Sequence, residues 1–105
     1  VRTQNVLLPV NISPWRCTLG LLDGAHRSLR AGQHLITYGP YKVNGHHTAP
    51  SNAAFDASLR AQDPSWGVRD LEVIEEEAQS RGLCLQKRVQ MPANNACLIF
   101  VRTPH

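Results

Sequence analysis

The sequence has no run of lysine and arginine, no CxxC pair, no apolar stretch approaching a membrane span, and no glycine-rich loop between a strand and a helix. Each absence excludes something. A nucleic-acid footprint needs basic residues gathered on one face. Here Arg27, Arg30, Lys42, Arg60, Arg69, Arg81, Lys87, Arg88 and Arg102 fall on separate predicted elements, so the net charge of +3 reads as solvated surface. The three cysteines, Cys17, Cys84 and Cys97, are odd in number, far apart and set in apolar runs. That excludes a disulfide framework and predicts buried free thiols in a reducing compartment. The first fifteen residues lack the apolar run and small-residue cleavage site of a signal peptide. The sequon at Asn11 to Ser13 is followed by Pro14 and gives no sign of secretion. The expectation is an intracellular protein, cytoplasmic or nuclear, with no membrane partner. The sequence opens on Val1 rather than methionine, which points to a processed or incomplete chain.

What is present suffices for one packed domain: 105 residues, of which 42% are hydrophobic and 18% charged. Val6 to Val10 reads as a strand, although Pro9 sits in it. Ser13 and Pro14 read as the start of a helix, serine as its cap and proline at its first position. Trp15, Leu19, Leu22, His26 and Leu29 then form one apolar stripe. Gly20 and Gly24 inside that helix each cost about 1 kcal/mol against alanine, which predicts a close packing partner. Gly32 is expected to end the helix in a left-handed conformation.

His34 to Tyr38 reads as a second strand, and helix, glycine and strand in succession point to a crossover unit on a parallel sheet. Tyr41 to Pro50 is polar and reads as a long loop. A helix from Ser51 to about Gln62 places Phe55 and Leu59 on one face, with Asn52, Asp56 and Arg60 as a surface ladder. Asp70 caps a third helix, which buries Leu71, Ile74 and Ala78 and stops at Gly82. Leu83 to Met91 alternates as a strand with one wet face, Pro92 to Asn95 turns, and Ala96 to Val101 reads as a central strand. The fold class is α/β, closing with an antiparallel hairpin.

Five segments stand in order: N-I-S-P-W (Asn11 to Trp15), Y-G-P-Y-K-V-N-G (Tyr38 to Gly45), S-N-A-A-F-D-A-S-L-R (Ser51 to Arg60), W-G-V-R-D-L-E (Trp66 to Glu72) and M-P-A-N-N (Met91 to Asn95). Together they resemble the methyltransferase-like protein 26 family, class I S-adenosylmethionine-dependent methyltransferase-like proteins mostly of unknown substrate. The resemblance covers about residues 10 to 103. It implies a partial Rossmann-like three-layer sandwich of about four strands, the last inserted antiparallel between its neighbours. The whole chain, residues 1–105, then corresponds to a single C-terminal half-domain, without the half that carries the glycine loop of the cofactor site.

The resemblance also places a site. Asn11, Ile12, Ser13 and Trp15 fall where such enzymes meet the cofactor, at the carboxyl end of a strand, loosely similar to an N-P-P-Y turn. Tyr38, Gly39, Pro40, Tyr41, Lys42, His46 and His47 follow the next strand end and would face the substrate. Each has a plainer reading. Trp15 opens an apolar stripe, and the tyrosines flank a Gly-Pro turn. His46 and His47 have no carboxylate at ligand spacing, so no metal is expected. Asn94 and Asn95 serve the hairpin turn, expected at the sheet end away from the cofactor.

S-adenosylmethionine is thus the cofactor of the complete fold, with none expected on this chain alone. The methyl acceptor, small molecule or macromolecule, is undetermined. The competing reading is a non-enzymatic interaction module or truncated isoform, able to self-associate through an exposed sheet edge.

Overall fold

Two apolar strands flank a third that arrives last. In the computed structural model, which describes residues 11–104, the elements run α1 (Trp15–Ser28), β1 (His34–Gly39), β2 (Tyr41–Lys42), α2 (Pro50–Gln62), β3 (Arg69–Asp70), α3 (Leu71–Gln79), β4 (Leu83–Met91) and β5 (Asn95–Arg102). A 3-10 turn, Pro92–Asn94, joins the last two strands. The expected strand Val6 to Val10 lies outside the described residues.

β5 sits between β1 and β4 and is antiparallel to both, so β1 and β4 run parallel to each other. This is the inserted terminal strand that the family resemblance implies. Alternation along β5 buries Ala96, Leu98 and Phe100 on one face. α1 brings Leu22, Ala25 and Leu29 against that face, and α3 brings Leu71, Ile74 and Ala78. Leu22, Leu83, Leu98 and Phe100 are fully buried, each contributing about 1.5–3 kcal/mol of transfer free energy. On the other face Ile36, Val89, Cys97, Ile99 and Val101 are only half-buried.

A bulge between Leu85 and Lys87 breaks the simple alternation expected of β4. Leu83 and Leu85 pair with Arg102 and Phe100 on the helix-covered face. Past the extra residue, Val89 and Met91 pair with Cys97 and Asn95 on the other. The apolar residues of this strand therefore divide between the two faces.

Other expectations are corrected. α1 begins at Trp15 with Pro14 at the cap and no side-chain cap bond, so Ser13 lies one residue outside the cap. Its buried stripe is Thr18, Leu22, Ala25 and Leu29, while His26 is exposed and sets Nδ1 2.7 Å from the Arg81 carbonyl. Nothing lies within 4 Å of a Cβ built on Gly20, and a Cβ on Gly24 would meet only the Arg27 guanidinium at 4.0 Å. These glycines serve no close approach among the described residues. The helix ends at Ser28, and Gly32 (φ 86°) turns the chain into β1. The cysteines are free, but Cys17 and Cys84 are exposed. Cys84 pairs with Val101 on the open sheet face, whose cover the sequence could not reveal. Among the described residues no helix is long and apolar enough to cross a membrane.

Candidate functional site

The register of the sheet decides where the site lies. Gly39, the last residue of β1, pairs with Ala96, near the start of β5. The Pro92–Asn94 turn therefore stands at the carboxyl end of β1. It does not stand at the opposite end, as expected for Asn94 and Asn95, because an antiparallel insert begins where its parallel neighbours finish. The first turn of α2 and the Asn11–Ile12 segment converge there too. Together they enclose a cavity of about 440 Å³ lined by Asn11, Ile12, Tyr38, Gly39, Pro40, Ser51, Asn52, Phe55, Ala93, Asn94 and Asn95. No acid, lysine, arginine or histidine is among them.

Asn11 is 2% exposed and acts as a clamp. Its Nδ2 donates to the Pro40 carbonyl (3.0 Å), its Oδ1 accepts from the Arg69 N–H (3.3 Å), and its carbonyl accepts from the Gly67 N–H (3.0 Å). The close approach explains Gly39: at φ 149°, a Cβ there would lie 2.8 Å from Asn11 Nδ2. Ile12 is exposed at the cavity. Ser13 gives its carbonyl to Arg69 Nη2 (2.6 Å). The Arg69 guanidinium lies 5.6 Å from the Trp15 ring centroid, a cation–π contact beside a separate small pocket that includes Lys42 and Asp70. Of the four expected cofactor residues, Asn11 and Ile12 line the cavity, and Ser13 and Trp15 hold Arg69 of β3, which pairs in parallel with β2 beside it.

The expected substrate residues divide as well. Tyr38, Gly39 and Pro40 line the cavity, with the Tyr38 hydroxyl accepting from Asn95 Nδ2 (3.0 Å). Tyr41 turns into the core, 3% exposed, and donates to Thr37 Oγ1 (2.8 Å). Burial pushes its phenol well above the ordinary range, outweighing that bond. Lys42 faces Asp70 at 3.9 Å. His46 is exposed in a tight hairpin, where Val43 and His46 exchange backbone bonds across Asn44 (φ 54°) and Gly45 (φ 78°). Two left-handed residues are what a two-residue type I′ turn requires. His47 sets Nε2 3.4 Å from Asp56 Oδ2.

The sequence reading missed the α2 contribution. The polar ladder faces inward: Asn52 is 4% and Asp56 9% exposed, whereas Phe55 is 38% exposed. Asp56 Oδ1 accepts from the Val68 N–H (2.9 Å) and Arg60 Nε (3.0 Å). Burial raises the affinity of this carboxylate for a proton. The Val68 and Arg60 hydrogen bonds, with the nearby charges of Arg60 and His47, outweigh it, so its pKa lies below the ordinary value. An amide and a carboxylate four residues apart on a helix, Asn52 and Asp56, were a signal, but periodicity read them as solvated.

A class I cofactor cradle needs a glycine loop opening a helix after a strand. The left-handed glycines of the described residues are Gly32, Gly39, Gly45, Gly67 and Gly82. Gly45 turns the Val43–His46 hairpin and the others lead into strands. The described residues therefore do not by themselves fit that cofactor. Nor do they hold any cluster of three or more histidine, cysteine or acidic side chains arranged for a metal.

The fold is similar to that of human N-acetylserotonin methyltransferase in complex with SAM, at 8% identity and a TM-score of 0.80, covering 94% of this chain and 28% of that one. It is similar also to an O-methyltransferase family protein from Burkholderia thailandensis (13% identity, TM-score 0.77, 94% and 29% covered). The LepI complex with SAM gives 19% identity, a TM-score of 0.77, and 94% and 25% coverage. The fold is methyltransferase-like, and the chain spans between a quarter and a third of the length of these proteins. A family model described as "Protein of unknown function (DUF938)" matches residues 3–102.

Proposed function

The chain belongs to the DUF938 family, and from its methyltransferase-like fold we propose that it forms the acceptor-side, C-terminal half of a class I S-adenosylmethionine-dependent methyltransferase. On this reading it is related to methyltransferase-like protein 26 and its bacterial relatives. The observation that carries the reading is the 440 Å³ cavity at the carboxyl ends of the parallel strands β1 and β4. Ligands of open α/β sheets bind at such ends. Ile12, Tyr38, Phe55 and the Ala93–Asn95 turn would enclose the methyl acceptor, and Asn11 would hold their framework together. With no carboxylate or histidine in the lining, these residues offer the acceptor no general base. Positioning is then the main contribution of these residues to rate.

The cofactor's glycine loop and ribose contacts belong, on this proposal, to residues beyond these 105. The chain alone is then inactive, whether it is a segment or a truncated isoform. An intracellular setting, cytoplasmic or nuclear, accords with its three unpaired cysteines. Calorimetric titration of the chain with S-adenosylmethionine and S-adenosylhomocysteine tests the division of labour. No saturable binding at millimolar cofactor is expected; saturable micromolar binding would overturn it. A second reading, an interaction module that self-associates, draws on the half-buried sheet face of Ile36, Ile99 and Val101.

A further inference from the structure

We propose that Asn52 is the specificity-determining residue of the cavity, and that the cavity takes an uncharged, ring-bearing ligand that donates an N–H or O–H hydrogen bond to Asn52 Oδ1. The proposal rests on the reading of this cavity as the acceptor site and names the acceptor's chemical class.

Asn52 is in the first turn of α2, 4% exposed, and lines the cavity. Its amide orientation is fixed by its neighbours. The Asn94 carbonyl, 3.3 Å away, can only accept, so the amide nitrogen must face it. The same nitrogen reaches Thr48 Oγ1 at 3.1 Å. Both amide protons are thereby used, and no donor of the described residues reaches Oδ1. Oδ1 is not among the buried unpaired polar atoms of the described residues, so it opens on the cavity; a ligand that displaces solvent there must supply a donor in its place.

The partner that orients Asn52 is itself held under strain. Ala93 (φ 62°) and Asn94 (φ 60°) are consecutive left-handed residues, a conformation that alanine disfavours. That backbone path carries the Asn94 carbonyl to Asn52. Strain of this kind persists where the surrounding structure over-determines a position, and it gathers at ligand sites. The rest of the lining sets the ligand's class. Phe55 and Tyr38 present half-exposed rings, at 38% and 37% exposure. An ion entering a lining with no charged side chain would lose solvation without gaining a partner. An uncharged ring with one donor on its edge satisfies both features.

The test uses two isosteric bicyclic probes on the intact chain. Indole carries a ring N–H; benzofuran has an oxygen in its place and no donor. Dissociation constants come from ¹H–¹⁵N shift perturbation, which also reports whether the shifts gather on the first turn of α2 and residues 93–95. Indole is expected to bind about tenfold more tightly than benzofuran, the difference one hydrogen bond makes. In Asn52→Ala the two should bind alike. Equal affinities in the unsubstituted chain would mean that solvent, not ligand, donates to Asn52; the assignment would fall while the cavity remained a ring-binding site. Binding of neither probe at millimolar concentration would overturn the acceptor-site reading together with the role of Asn52. The comparison on the unsubstituted chain decides the matter even if Asn52→Ala does not fold.

Discussion

Replacing Asp56 with alanine should destabilise this protein more than replacing Arg60, its ion-pair partner on α2. The carboxylate is the partner of the Val68 N–H, and Val68 is 1% exposed. Without Asp56 that donor is buried and unpaired, a loss of about 1–3 kcal/mol. Arg60 is half-exposed, so its ion pair adds at most about 1 kcal/mol. The expected total is about 1–4 kcal/mol. A domain of this size loses about 4–8 °C of melting temperature per kcal/mol, so the midpoint should fall by about 4–30 °C. Circular dichroism melts at pH 7 on the parent chain, Asp56→Ala, Asp56→Asn and Arg60→Ala would measure it. Asparagine keeps an acceptor for Val68 and should recover about half the loss. The sign of the pH dependence follows from the lowered pKa of Asp56. A depressed carboxylate contributes stability that is complete above its unfolded pKa of about 3.9 and is lost as pH falls through the folded value. The gap between the parent and Asp56→Asn should therefore hold from pH 7 down to about 5 and shrink below about 4. If Asp56→Ala costs no more than Arg60→Ala, the Val68 hydrogen bond is not what makes this residue matter.

Three further outcomes are expected. Gly39→Ala combines a left-handed φ of 149° with a Cβ 2.8 Å from Asn11 Nδ2; urea denaturation should show a loss of about 1–3 kcal/mol, and an unchanged midpoint would mean that the Asn11 clamp yields freely. Ala93→Gly removes a left-handed alanine (φ 62°) and should raise the urea midpoint by an amount equal to about 1 kcal/mol; a lower midpoint would remove the case for strain in this turn. The half-buried face of Ile36, Val89, Ile99 and Val101 should make the chain self-associate, so sedimentation should shift with concentration; a monodisperse monomer with a concentration-independent melt would contradict this.

The helices and the strands were legible because each rests on a local pattern; the order of the strands came only from the family resemblance. Leu71, Ile74 and Ala78 are spaced for one buried face, and they are buried. Leu98 and Phe100 alternate within an apolar run, and that run became the central strand. Where the pattern was ambiguous, the reading failed. Asn52 and Asp56 on a helix are solvated unless tertiary partners take up their polar atoms, and Asn94, Val68 and His47 lie far from them in sequence or across a turn. The bulge past Leu85 left no mark that periodicity reads. Asn44–Gly45 did carry a signal, since that dipeptide marks a two-residue hairpin, but it was absorbed into a polar loop. Of the expected site, Asn11, Ile12, Tyr38, Gly39 and Pro40 line one cavity. Tyr41, Lys42, His46 and His47 follow them directly in the chain, yet the turn at Pro40 sends them elsewhere.

The central position of β5 has a consequence for how the protein is made. β1 and β4 each pair with β5 and with no other strand of the described residues. Both leave the ribosome before it does. His34 must wait for Val101, and the wait spans two helices and three other strands. Until then their hydrogen-bonding edges are open, and only helical segments can form locally. Sheet formation is therefore a late, all-or-none event dominated by contacts between distant residues, which slows folding and exposes the nascent chain to mispairing. Stop codons placed before Asn95 should not yield a smaller β1–β5–β4 sheet; they should leave, among the described residues, at most the short β2–β3 pair.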